Sequence, residues 1–300
     1  MKTIRSTRRS VLAAVLVSSA LLWGCEQDET LTFEDVAEIN QTVQDDNRSQ
    51  QESDVVNEFV AMGFDDNQVD VTGAQQVKML RFRRLPSGVE PVYDNDTDDD
   101  GTPGPYSVTI DFGTEGVSCY DGRTRRGVIT ATATGRYRDE GTVITTTTEG
   151  YGVSRDGGVN WFNHDFSRTV TNNGLNEDEN ISYTVVESNV ITSPEGQVTN
   201  WSSTRTREWD WGTDNTPFTA DDFYYITGNG LTERVGVRTI DHVINEAVTF
   251  KFDCGVVYGG VITHTDRASG NNIVVDYGEG CTIAKTITYN INGQTFTFPL

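Results

Sequence analysis

Over the C-terminal three quarters of the chain, apolar residues recur at every second position in short runs. That period places alternate side chains on opposite faces of a pleated strand. From about Val77 onward it predicts strands at Val128–Thr134, Thr142–Thr148, Asn180–Val186, Val198–Trp211, Phe223–Ile226, Val248–Cys254, Gly255–Thr263, Asn272–Tyr277, Lys285–Ile291 and Gln294–Leu300. Turn dipeptides punctuate them: Asp121-Gly122, Asp156-Gly157, Asn173-Gly174, Asn229-Gly230 and Asn292-Gly293. At the last of these, a two-residue type I′ turn pairs Ile291 with Gln294, Tyr289 with Phe296 and Ile287 with Phe298. That register gathers the large apolar side chains of the hairpin on one face. Helical spacing occurs once, at Val55, Val56, Phe59 and Val60, after a capping box at Ser49–Glu52 and before Gly63. The pattern predicts one short helix, about residues 50–62. The fold class expected is all-β: a large antiparallel meander, built as a sandwich or as a strongly curved, partly closed sheet.

The first 25 residues depart from this pattern. Lys2, Arg5, Arg8 and Arg9 precede an apolar run, Val11–Leu22, that ends at Trp23-Gly24-Cys25. A basic start, an apolar core too short to span a bilayer, a small residue and a cysteine are the parts of a lipoprotein export signal. Acylation at Cys25 is therefore expected. Arg8-Arg9 also fits a twin-arginine signal, with ordinary secretion the preferred reading. The expected organisation is a signal peptide over 1–24, a lipidated flexible tether over 25–48, a short helix and linker over 49–76, and an antiparallel β domain over 77–300.

Charge narrows the class of partner. Removing residues 1–24, which hold four Lys/Arg and no Asp/Glu, leaves 19 basic and 45 acidic residues, a net −26. So acidic a chain argues against nucleic acid and against direct binding to anionic headgroups.

An internal echo runs through the β region. Ile110-Asp111-Phe112-Gly113 leads to Cys119, and Val275-Asp276-Tyr277-Gly278 leads to Cys281, which reads as a duplicated strand–turn unit. Together with Cys119-Tyr-Asp-Gly-Arg-Thr-Arg-Arg-Gly127, Thr134-Gly-Arg-Tyr and Asp221-Asp222-Phe-Tyr-Tyr-Ile-Thr-Gly228, these segments resemble uncharacterised lipoproteins of Bacteroidota over roughly residues 105–300. The resemblance implies envelope lipoprotein status and no particular activity. Glu26-Gln27-Asp28-Glu29 is similar to the acidic surface-export signal of that phylum.

Several residue sets could carry chemistry. With Cys25 lipidated, three cysteines remain, and Cys254–Cys281 is the preferred disulfide, with Cys119 paired to either one as the alternative. Asp96, Asp98 and Asp100, followed by Gly101, match the first half of a calcium loop, with Asp94 as a further ligand. The bidentate glutamate of such a loop is missing, because Ser107 stands in its place. Calcium is thus the single candidate cofactor. On one regular strand, Trp201, Arg205, Arg207, Trp209 and Trp211 share a face, as a core stripe or as a Trp–Arg platform for a glycan. Asp210, Asp214, Asp221 and Asp222 form an acidic loop that could serve glycoside hydrolysis. His164, His242 and His264 are scattered and lack metal-ligand spacing, and no phosphate loop, nucleophile elbow or zinc-protease motif occurs.

The expectation is a bacterial outer-membrane lipoprotein, on the periplasmic or cell-surface face. It would act as a non-enzymatic binding or structural module, held to the membrane by its lipid and engaging an envelope protein or glycan. The alternatives are a carrier of lipid or another apolar ligand on a concave sheet face, and a glycan-active hydrolase.

Overall fold

The computed structural model describes residues 33–65, 85–95, 106–136, 139–212, 221–251, 254, 257–281, 286–291 and 294–299. Among these residues one helix, α1 (Phe33–Asp65), precedes fourteen strands. They are β1 (Val92–Asn95), β2 (Tyr106–Asp111), β3 (Val117–Ser118), β4 (Thr124–Ala133), β5 (Val143–Ser154), β6 (Phe162–Leu175), β7 (Ile181–Thr192) and β8 (Val198–Asp210). The series continues with β9 (Phe223–Arg234), β10 (Arg238–Lys251), β11 (Val257–Asp266), β12 (Asn272–Asp276), β13 (Thr286–Ile291) and β14 (Gln294–Pro299). They form one antiparallel meander in chain order from β1 to β14, with β3 set aside as a second partner of β4. The sheet is not closed into a barrel. The final hairpin has the register expected from its turn: Ile291 opposite Gln294, Tyr289 opposite Phe296 and Ile287 opposite Phe298.

The sheet curls around its own helix. Successive helical residues point about 100° apart. Asp46 reaches Trp201 on β8 and Thr232 on β9, and Asn47 reaches Tyr277 just past β12. Arg48 lies over Phe162 at the start of β6, Glu52 meets Arg125 on β4 and Tyr151 on β5, and Ser53 meets Glu187 on β7. Two helical turns therefore touch strands from β4 to the end of β12, which a flat sheet does not permit. The inward face of the long strands is buried at every second residue, as on β7, where Ile181, Tyr183, Val185, Glu187, Asn189 and Ile191 alternate with more exposed neighbours.

Two apolar clusters hold the ends of the helix. Val56, Phe59 and Val60 pack with Val108, Ile110, Phe112, Ile129 and Tyr183, among others. Ile39 and Val43 pack with Ile226, Ile240, Ile262, Val275 and Tyr277. The two copies of the sequence echo sit in these two clusters and build the same turn. Asp111 Oδ1 accepts the Gly113 N–H at 2.7 Å, and Asp276 Oδ1 accepts the Gly278 N–H at 2.8 Å. Phe112 N–H then bonds to the Gly127 carbonyl at 2.9 Å, and Tyr277 N–H to the Gly260 carbonyl at 3.0 Å. Gly127 has a φ of 82°, and a Cβ there would run into the Gly150 backbone. The bulge that bends β4 against β5 therefore needs glycine.

Two sequence expectations are corrected. The helix is not confined to about 50–62, and residues 33–48 are not a tether: they are helical, with Ile39, Thr42, Val43, Asp45 and Asp46 buried. Ser49 does not cap a helix start. It lies mid-helix and returns its hydroxyl to the Asp45 carbonyl at 2.8 Å. The signal segment and Cys25 lie outside the described residues, as do Asp96, Asp98 and Asp100, while Asp94 falls on β1. Among the described residues no helix is long and apolar enough to cross a membrane.

Candidate functional site

Between the two apolar clusters lies a belt of buried polar side chains, supplied by the middle of α1 and by the inward face of the sheet. The helical contributors are Asp46, Ser49, Glu52 and Ser53, each at most 3 % exposed. A buried charge is costly unless it is paired and hydrogen-bonded. The belt gathers its charges of opposite sign together in separate groups.

Glu52 is the centre of the first group. Arg125 donates from Nε to Oε1 at 2.8 Å and from Nη2 to Oε2 at 3.1 Å, a forked pair. The Tyr151 hydroxyl donates to Oε1 at 2.5 Å, and Arg123 to Oε2 at 3.0 Å. Asp121 takes the outer edge of Arg125 at 2.9 and 2.7 Å. Burial works to raise the Glu52 pKa, but the Arg125 charge and its hydrogen bonds outweigh this and hold the carboxyl down to about 2.

Glu187 is the centre of the second group. It accepts from Ser203 at 2.9 Å and from Ser53, between the guanidinium groups of Arg168 at 3.9 Å and Arg205 at 3.8 Å. Arg168 also donates to the Ser53 carbonyl at 3.0 Å. Beside this group His164 Nδ1 lies 2.9 Å from the Asn189 amide, and burial lowers the histidine pKa to about 4.

The third group centres on Asp46. Its Oδ1 accepts from Trp201 Nε1 at 2.8 Å and from Thr232 Oγ1 at 2.9 Å, with His242 Nδ1 3.0 Å away. His242 and His264 stand directly opposite on β10 and β11, with ring centroids 6.0 Å apart. A ligand atom from each of Asp46, His242 and His264 lies within 4.8 Å of the others, so this is the set of described residues able to hold a metal ion. Burial opposes ionisation of Asp46, yet the facing His242, His264 and Arg205 keep its carboxyl well below the usual carboxylate range. Burial lowers His264 to about 4.

The Trp–Arg strand of the sequence is thus interior. Trp201 and Trp209 are 2 % and 1 % exposed and Arg205 is 3 % exposed, so an open glycan platform is overturned. Trp209 donates to Asp222 at 3.0 Å and stacks on Tyr224, while Trp211 meets the edge of Trp209. Arg207 pairs with Asp54 of the helix. The shared face is real, and it is the face that grips α1. Of the acidic loop, Asp222 is fully buried on Trp209, Asp210 accepts the Gly212 N–H at 2.9 Å, and Asp214 lies outside the described residues. Cys254 and Cys281 lie at disulfide distance with Cα atoms 4.9 Å apart, which leaves Cys119 as a half-buried free thiol.

At one rim a cavity of about 430 Å³ opens between α1 and the β7–β8 turn, lined by Asp45, Arg48, Phe162, Glu195 and Arg234 among others. Sequence reasoning missed this cavity, the Asp46–His242–His264 group and the whole of β6. The inward residues of β6 include His164, Arg168 and Asn172, so the strand lacks an apolar stripe. The histidines could have been noticed as inward-facing residues of paired strands, which needs the register and not the spacing. No family model matches the chain, and no curated protein or solved structure is significantly similar to it.

Proposed function

We propose that the chain is a lipid-anchored lipoprotein of the bacterial envelope that acts as a non-enzymatic binding or structural module. The anchor rests on the basic, apolar and Gly24-Cys25 sequence of the first 25 residues. The observation that carries the module reading is that the concave face of the sheet is filled by the protein's own helix. A carrier of apolar ligands needs that space, and here it holds Glu52, Asp46 and Ser53 with their partners. The outer sheet surface and the rim cavity are left for recognition. The chain carries 45 acidic against 23 basic residues, and among the described residues only six acids are buried, beside three arginines, so the outer surface stays acidic and favours cationic partners.

The long helix also sets the geometry of attachment. A lipid on Cys25 leaves seven residues, Glu26–Thr32, before α1 begins. Seven residues reach at most about 25 Å when fully extended, so the sheet stands close to the membrane surface. Cys25→Ala is expected to abolish fatty-acid labelling and to release the protein from membranes. Labelling that persists in the variant contradicts the anchor. Organic extraction of the purified wild-type protein is expected to yield no stoichiometric lipid beyond the covalent acyl chains; one bound lipid per chain would favour a carrier instead.

A further inference from the structure

The histidines of the belt fall into two kinds. His164 has a partner in the Asn189 amide. His242 and His264 are each 1 % exposed; His242 Nδ1 faces Asp46 Oδ1 at 3.0 Å, while His242 Nε2 and both ring nitrogens of His264 have no hydrogen-bond partner. Asp46 is equally buried and divides its carboxylate: Oδ1 receives Trp201 and Thr232 and faces His242, and Oδ2 has no partner. Buried polar atoms are almost always satisfied, so this many unsatisfied atoms facing one another require an explanation.

We infer that Asp46, His242 and His264 bind a divalent transition-metal ion of the zinc class, which ties α1 to β10 and β11. The three ligand atoms come within 4.8 Å of one another. Bonds of about 2.0–2.1 Å in tetrahedral geometry place ligands roughly 3.4 Å apart, so side-chain adjustments of about 1 Å complete the set. The remaining coordination position falls to water, as is usual with three protein ligands. Two imidazoles and one carboxylate suit zinc, cobalt or iron and are poor ligands for calcium, which prefers oxygen. Trp201 and Thr232 then play the orienting role: their bonds to Oδ1 fix the Asp46 carboxylate beside the two imidazoles. The site is also kept open from below. Gly230 lies opposite His242 in the β9–β10 register, and a Cβ at Gly230 would collide with His242 Nε2. A side chain at that position would deny the imidazole its place.

The inference does not depend on the anchor. To test it, the full chain is unfolded in denaturant with a chelator and refolded with zinc, cobalt, calcium or no metal, then desalted and its metal content measured. The expected result is one zinc or one cobalt per chain, visible tetrahedral cobalt bands, and a Tm raised by roughly 5 °C or more over the metal-free protein. The His242→Gln/His264→Gln double variant should lose the metal and the Tm rise. His164→Gln and Cys119→Ser should keep both, which separates this site from the remaining histidine and from the free thiol. Wild-type protein that refolds without retaining zinc or cobalt overturns the proposal, as does zinc retained undiminished by the double variant or calcium retained in preference to zinc. If the double variant fails to fold, X-ray absorption of the cobalt-loaded wild type decides, since fewer than two imidazole ligands would also overturn it.

Discussion

Replacing Glu52 with alanine is expected to cost about 3–5 kcal/mol of folding free energy, because it strips the buried Arg125 of its forked partner. Arg125 is fully buried, and Tyr151 and Arg123 lose the same acceptor. Asp121 keeps its hold on the outer edge of Arg125 and limits the damage. A typical domain is stable by only about 5–15 kcal/mol, so the variant should lie near the edge of unfolding at room temperature. Urea midpoints measure the loss, and a change below about 1 kcal/mol would show that α1 contributes little through this contact.

The pH dependence gives the same prediction a second reading. Glu52 ionises at about 2 in the fold against an ordinary value of 4.5. A depressed acid stabilises the fold above 4.5 and loses that contribution as the pH falls from 4.5 through 2. His164 behaves as a depressed base, at about 4 against 6.5. Its folded site disfavours the proton, so the unfolded chain takes it up first and stability falls between pH 6.5 and 4. Glu52→Gln should remove the Glu52 share of the lower window and deepen the upper one, because the Glu52 charge supports protonation of His164.

Trp201→Ala is the second large loss expected, about 3–5 kcal/mol from lost burial and the cavity left behind. Its ring is 2 % exposed, lies 5.2 Å from the Arg205 guanidinium and donates to Asp46. Truncation therefore also removes a donor from a buried carboxylate. An exposed platform residue behaves in the opposite way, with a stability change within about 0.5 kcal/mol. Thermal or urea unfolding of Trp201→Ala distinguishes the two.

Legibility in the sequence follows the nature of the partner. The antiparallel meander and the register of the last hairpin could be read because alternation and an Asn-Gly turn are local signals. The shared face of Trp201, Arg205 and Trp209 was also legible, but not its direction, since parity does not say which face is inside. The helix was the largest miss. Phe33–Asp65 has no continuous apolar stripe, because the residues at its middle are acids and serines that meet arginines and histidines on strands 73 to 196 residues away in sequence. An amphipathic pattern marks a helix that packs on an apolar surface. A helix that packs on buried arginines looks like a solvated acidic segment, and only the fold reveals the difference. The same logic hid β6, whose inward Arg168 and His164 face that helix.

The central claim is that α1 is part of the core and not a spacer. Native-state hydrogen exchange of the α1 amides tests it most directly. Residues 39–60 should exchange with the slow, cooperative protection of β6 to β10, because opening them breaks the polar belt and both apolar clusters. Exchange of these amides at the rate of a free peptide, beside protected strands, would contradict the account.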